Sequence, residues 1–326
     1  MGHASRSVPV IRALIQEGHT VHLAADGQIT DWLSAEFPDV KIHRLPETNF
    51  RYQTNQMLVN AMLQFFSFLR FLRQDKIHAG RISRMIGANV IISDNRFCFF
   101  DHKIPVNIYI SHQIQIFYPV KWISRMMTAA HQYFIRKYSM CWIPDDPTIK
   151  LAGMLSDSNG IRHYKYIGIL SRFSPFVEKT KSIDILVILS GPEPQRTYLE
   201  DLLFPVLNQF ENVKIDFVRG TNIPGQNQPF PHINVINIMG SAELEKKINQ
   251  NKLLICRPGY STLMDLYSKN IPAILIPTPG QTEQEYLCDY HSVSEGKFTP
   301  LLQKNIAGQL PDMISKKLAE LHSPKE

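Results

Sequence analysis

Two short apolar runs, each broken by a polar turn and followed by a helix-start signature, constrain this chain more than any other feature. Leu253-Leu254-Ile255-Cys256 has the uninterrupted apolar character of a parallel strand buried on both faces, and Arg257-Pro258-Gly259-Tyr260-Ser261-Thr262 ends it with turn and capping residues. Ala273 to Pro277 repeats the plan, and Thr278-Pro279-Gly280-Gln281 leads into the acidic, amide-rich helix start Thr282-Glu283-Gln284-Glu285. Two consecutive β-loop-α units place both loops at one edge of a parallel sheet, the edge at which open α/β folds bind ligands.

The residues on those loops suit a nucleotide diphosphate. A helix N-terminus offers unpaired N–H groups and about half a positive charge, so a pyrophosphate fits at Ser261 and Thr262, with Gly259 allowing close approach and Arg257 adding a cation. A carboxylate such as Asp265 accepts from the vicinal hydroxyls of a ribose, and Gln281, Gln284 and Glu285 suit the hydroxyls of a sugar. Each of these residues alone also serves as an ordinary cap or helix-start charge. Their joint placement on neighbouring loops points to a ligand.

The rest of the chain alternates strand and helix. Gly2 to Arg6 reads as a loop before a helix whose Val10, Leu14 and Ile15 share one face and which Gly18 ends. Strands follow at Thr20–Ala25 and Ile42–Leu45, with a helix between them around Trp32–Phe37. Helical patterns cover about 55–85 and 117–137, both mixing aromatic with basic residues. Such segments form core-packed helices or, in the sharper reading, interfacial surfaces for an anionic membrane. Between them Asn89–Asp94 and Val106–His112 read as strands ending in polar groups, which makes Asp94, Asn95, Arg96 and His112 candidates for acceptor binding or catalysis. Met140–Ile143 is a further strand running into the turn Pro144-Asp145-Asp146-Pro147, and Lys165–Leu170 is the last strand of a first domain, residues 1–170. A polar linker at 171–182 precedes a second Rossmann-like domain, 183–326, which opens with the strand Ile183–Leu189 and the loop Ser190 to Thr197.

The motif RPGYSTLMDL followed by IPTPGQTEQEYL resembles the donor-binding region of the GT-B glycosyltransferases of family 28, the group that includes the UDP-N-acetylglucosamine transferase of peptidoglycan lipid-precursor synthesis. SDNRFCFF and ISHQ also resemble segments of its bacterial members. The resemblance implies an α/β fold of two Rossmann-like domains facing a cleft, with a final helix that can cross back to the first domain. It implies metal-independent, inverting transfer of a hexose or N-acetylhexosamine from a nucleotide sugar to an acceptor hydroxyl. Gly191 and Arg196 fall in the phosphate loop, Ile238 and Met239 where the family holds the uracil, and Gln284-Glu285 where it holds the sugar. Gly2, His3 and Arg6 fall in the glycine-rich acceptor loop, with His3 as the base because an imidazole titrates near neutrality, and Asp94 and His112 in reserve. Pro258 and Glu285 depart from the family pattern. Family members carry a strand ahead of this loop, so the first strand is expected to be missing here and the acceptor domain to be marginal.

Composition bounds the partners. At 326 residues, 44% of them hydrophobic and 20% charged, the chain is long enough for two cores and is not disordered. A net charge of +6 attracts anions. The expected partners are a nucleotide-sugar donor, a glycan or lipid-linked acceptor and an anionic membrane surface, with no nucleic acid. Four scattered cysteines suggest neither zinc nor disulfides, and the absence of any Asp-x-Asp pair argues against metal-dependent GT-A chemistry. No cofactor is expected, and a cytoplasmic site, peripheral on the inner face of the membrane, fits these features. Two rival functions share the pattern: a non-hydrolysing UDP-sugar epimerase and a catalytically silent sugar-nucleotide-binding protein.

Overall fold

The computed structural model describes residues 2–46, 65–174, 181–221, 231–292 and 297–322. The chain divides into two compact units, Met1–Leu170 and Ser171–Glu326. In the first, α1 (Gly2–Gln16), β1 (His22–Asp26), α2 (Gly27–Glu36) and β2 (Lys41–Leu45) are followed by α3 (Phe65–Ile86), β3 (Val90–Asp94), β4 (Val106–Ile110), α4 (Lys121–Ile135), β5 (Met140–Ile143) and β6 (Tyr164–Tyr166). All strand pairs are parallel, but they form two sheets, β1–β2 and β3–β4–β5–β6. Val8, Ile11, Leu23, Leu33 and Phe37 pack together over the smaller sheet, while Tyr109, Ile114, Ile135 and Ile143 centre the core of the larger.

The expected loop at Gly2–Arg6 is instead the opening of α1. Ala4, Val8 and Ile11 lie at helical spacing and are all buried, so the apolar stripe begins earlier than Val10 and is rotated from it; Ile15, expected inside, is exposed. Gly18 does end the helix. Its φ of 83° lets its N–H reach Ile15 O and the His19 N–H reach Leu14 O, a Schellman closure. Of the helix expected at about 55–85, the part before Phe65 lies outside the described residues. The strand expected at Lys165–Leu170 is confined to Tyr164–Tyr166.

The second unit contains β7 (Ile183–Ile188), α5 (Gln195–Leu207), β8 (Ile215–Val218), β9 (Ile233–Ile236), α6 (Ser241–Gln250), β10 (Asn251–Cys256), α7 (Tyr260–Lys269), β11 (Ala273–Leu275), α8 (Thr282–Ser292), β12 (Phe298–Pro300) and α9 (Ile306–His322). Its six strands form one parallel sheet in the order β12-β11-β10-β7-β8-β9. The apolar runs read from sequence are its central strands, and Leu253, Leu254, Ile255 and Ile274 are fully buried. The last helix, expected to be able to cross back, lays Ile306, Leu310, Ile314 and Leu318 into the core of this unit.

The turn at Pro144–Pro147 hides a structural anchor. Asp145 is fully buried and accepts from the N–H groups of Asp146 (2.8 Å), Leu151 (2.9 Å) and Ala152 (3.0 Å) and from Ser156 Oγ (2.6 Å). Removing the carboxylate strands several buried donors, each costing about 1–3 kcal/mol. Asp145→Ala is therefore expected to lose at least about 3 kcal/mol in urea unfolding, with Asp145→Asn intermediate. An unchanged midpoint for Asp145→Ala contradicts this role.

Candidate functional site

Strand order reverses between β7 and β10: β8 and β9 lie to one side, β11 and β12 to the other. At such a switch point the loops leaving the carboxyl ends diverge and open a crevice. The loops here are Leu189–Pro194 after β7 and Arg257–Gly259 after β10, the second being one of the two singled out in the sequence. Gly191 turns the first with φ 110°. Gly259 is the N-cap of α7 in extended conformation, so the first N–H groups of that helix, at Ser261 and Thr262, lie at this edge with the positive end of the dipole. A Cβ built on Gly259 meets only Thr262 Oγ1 at 3.9 Å, which leaves its backbone approachable.

The two arginines of these loops are held internally. Arg257, about 1% exposed, donates through Nη1 to the carbonyls of Ile276 (3.1 Å) and Pro277 (2.9 Å) and through Nη2 to Gln195 O (3.1 Å). Burial pulls its pKa down to about 10, so it stays charged at neutral pH. Arg196 donates to Glu193 (2.5 Å), Thr197 Oγ1 (2.8 Å) and Glu200. Glu200 also accepts from Arg219 Nε at 2.8 Å, and Arg219 reaches Asn237 Oδ1 at 3.0 Å, which links the β7 exit to the residues after β9. Ile238 there is exposed and Met239 half-buried.

Gln284 and Glu285 shape the loop after β11. Gln284 Oε1 accepts from Thr278 N–H (2.9 Å) and Glu285 Oε1 from Gly280 N–H (2.8 Å), while Gln281 N–H donates to Thr278 O at 3.0 Å. Both side chains therefore organise the turn that precedes α8.

Asp265 projects from α7 into a buried setting. It accepts from Ser171 Oγ (2.9 Å) and Arg172 N–H (3.3 Å) and pairs with Arg172 Nε at 3.3 Å. Burial raises its pKa to about 6, and the Arg172 charge only partly offsets this. Nearby, fully buried Lys269 pairs with Glu245 at 2.7 Å, and Glu245 also takes the Ser174 N–H at 2.9 Å. Residues 171–174 are thus fastened to α6 and α7.

In the first unit three of the predicted residues meet. Arg6, buried in α1, donates through Nε to both carboxylate oxygens of Asp94 (2.9 and 3.1 Å) and through Nη1 to His112 Nδ1 (2.6 Å), while Ser7 Oγ reaches Asp94 at 2.6 Å. A guanidinium only donates, so Nδ1 of His112 is the acceptor and its ring proton sits on Nε2. Arg96 turns away to Asp75 (2.6 Å) and Asp26 (3.3 Å). Asn95 accepts from Tyr109 Oη at 3.0 Å, and Tyr109 contacts Nε2 of buried His131 at 3.1 Å. Gly2 and His3 lie in the first turn of α1; their side chains lie outside the described residues.

Sequence reasoning missed Glu200, Arg219, Lys269, Arg172 and His131. Only Glu200 carried a local signal, four residues after Arg196 on one helix face.

Two units of parallel α/β structure, the second with a switch point in its strand order, form a GT-B-like fold. Residues 208–326 match the glycosyltransferase family 28 C-terminal domain. By sequence, no curated protein matches the chain. Among solved structures it is similar to a glycotransferase of kitacinnamycin (TM-score 0.60, 16% identity, 99% of this chain and 88% of that one). It is similar to MurG of Acinetobacter baumannii (0.54, 13%, 99% and 88%). The spinosyn rhamnosyltransferase SpnG complexed with thymidine diphosphate is a third such structure (0.62, 11%, 98% and 89%).

Proposed function

We propose that this chain is a glycosyltransferase that moves a hexose or N-acetylhexosamine from a nucleotide diphosphate sugar, UDP-N-acetylglucosamine in type, to the hydroxyl of a lipid-linked or other envelope-glycan acceptor. The observation that carries the reading is the N-terminus of α7, the helix that bears Asp265, at the switch point of a unit whose residues 208–326 match the family 28 domain. The diphosphate sits against the first N–H groups of α7, which stabilise the charge it gains on departure. The ribose hydroxyls donate to Asp265 in place of Ser171 and Arg172, and the sugar lies by the turn that Gln284 and Glu285 hold. The acceptor oxygen attacks the anomeric carbon as the bond to the diphosphate breaks, with inversion. Its proton passes to a base, for which His3 is favoured.

A ribose diol donates to a carboxylate, so binding favours ionised Asp265. Because that carboxyl titrates at about 6, affinity for UDP-N-acetylglucosamine is level above this pH and falls below it, by up to about tenfold per unit. The sugar nucleotide's diphosphate is esterified at both ends and keeps its charge over this range. Asp265→Ala binds about 1–3 kcal/mol more weakly and loses the pH dependence. Titration calorimetry across about pH 5 to 8 decides it; a flat profile for the unaltered protein removes Asp265 from the site.

The lipid-linked acceptor is supported by α4. Trp122, Met126 and Tyr133 are 65%, 55% and 55% exposed on one face, too much apolar surface for a helix serving only the core. Lys121, Arg125, Arg136 and Lys137 are exposed beside them. This face would lie on the inner leaflet, and among the described residues no helix is long and apolar enough to cross a membrane. The protein is expected to float with anionic vesicles at low salt and to lose much of that binding as salt rises or in Trp122→Glu. Absence of flotation at low salt contradicts the attachment.

A further inference from the structure

The exposed face of α3 is a row of cations that the described residues leave largely unneutralised. Arg70, Arg73, Lys76, Arg81 and Arg84 are all exposed, whereas the one carboxylate of the helix, Asp75, is buried and pairs with Arg96 at 2.6 Å. Five cations and one carboxylate give α3 a net charge of +4, most of the +6 of the whole chain. Arg84 reaches Asp101 at 3.7 Å and Lys76 lies over the Phe100 ring at 5.6 Å. Among the described residues no carboxylate pairs with Arg70, Arg73 or Arg81.

Arg70 with Arg73, Arg73 with Lys76 and Arg81 with Arg84 are like-charge neighbours at i, i+3, an arrangement that destabilises a helix. A face that met only water would gain from interspersed glutamates. At the helical repeat Arg70, Arg73, Arg81 and Arg84 fall within an arc of about 80° and along about 21 Å of the axis, with Ile77 among them and Leu69 and Met85 on the flanks. On α4 the order is inverted: Trp122, Met126 and Tyr133 share an arc of about 40°, and Lys121 and Arg125 lie beside it. A membrane face keeps apolar side chains at its centre and cations at its margins, as α4 does. The α3 face has its cations at the centre, the order that suits an anionic chain. Phe68 and Phe71 are engaged by Phe97 (6.1 Å between ring centroids) and by the Arg96 guanidinium (5.1 Å from the ring centroid), so neither ring is a platform for a nucleic-acid base.

We propose that this face binds a linear polyanionic glycan, whose successive carboxylate or phosphate groups pair with the arginines. Asp75, on the opposite side of α3, ties the helix to Arg96, which follows the candidate acceptor residues Asp94 and Asn95 directly. The glycan is then the acidic stem of the acceptor. That role rests on the proposed function, whereas the binding does not.

The test is titration calorimetry of the whole chain with polygalacturonate, a linear polyuronate, and with neutral dextran as control, in the absence of any sugar nucleotide. Donor binding at Asp265 is measured separately, so either reading can fail while the other stands. The chain is expected to bind polygalacturonate and not dextran, and to bind at least about tenfold more weakly when salt rises from about 50 to about 200 mM. The triple variant Arg70→Gln, Arg73→Gln, Arg81→Gln changes only exposed side chains, so its melting temperature is expected to hold. Its affinity is expected to fall at least about tenfold at low salt, with a shallower salt dependence. Equal affinity in the triple variant, or no binding of polygalacturonate at low salt, overturns the proposal. Tighter binding of poly(dT) or duplex DNA than of polygalacturonate at the same salt assigns the face to nucleic acid and overturns the glycan. Loss of flotation with anionic vesicles in the triple variant, with polygalacturonate binding unchanged, assigns it to the membrane and overturns the proposal equally.

Discussion

The candidate donor site depends on one buried guanidinium. Arg257 leaves the end of β10 and donates to the carbonyls after β11 and at the start of α5, joining three segments beyond the last paired residues of the strands. Among the described residues no carboxylate pairs with it; carbonyl dipoles answer its charge, and burial pulls its pKa down. An arrangement of this kind fixes where α7 begins. The position of that helix end is what an anionic ligand reads.

Around this clamp most of the loop polarity is already engaged. Arg196 lies between Glu193 and Glu200, Gln284 and Glu285 cap the turn before α8, and Asp265 holds Ser171 and Arg172. A preorganised edge loses little order when a ligand arrives, which favours binding. Asp265 is the exception, because the same carboxylate is assigned both to the first residues of its unit and to a ribose. Donor binding on this account therefore exchanges partners at Asp265, and residues 171–174 feel it.

The fold was legible because parallel strands buried on both faces leave short apolar runs, and Gly18 marks a helix end by its conformational need. Placement of the donor loops at one sheet edge was legible for the same reason. The partners of the site residues were not. Arg257 reads as a free cation for phosphate until Ile276, Pro277 and Gln195 are brought to it by strand pairing, and His112 reads as a base until Arg6 arrives from more than a hundred positions away. The opening of α1 was misread because Gly2 and Pro9 argue against a helix locally, while the burial of Ala4, Val8 and Ile11 against the sheet decides it.

The central claim is that a sugar nucleotide binds at the switch point of the second unit. Hydrogen exchange with and without saturating UDP-N-acetylglucosamine tests it most directly. The account predicts slowed exchange at Leu189–Thr197 and Gly259–Asp265, with a change at Ser171–Ser174, and none at β12 or α9. Protection confined to the first unit, or none anywhere at saturation, contradicts it.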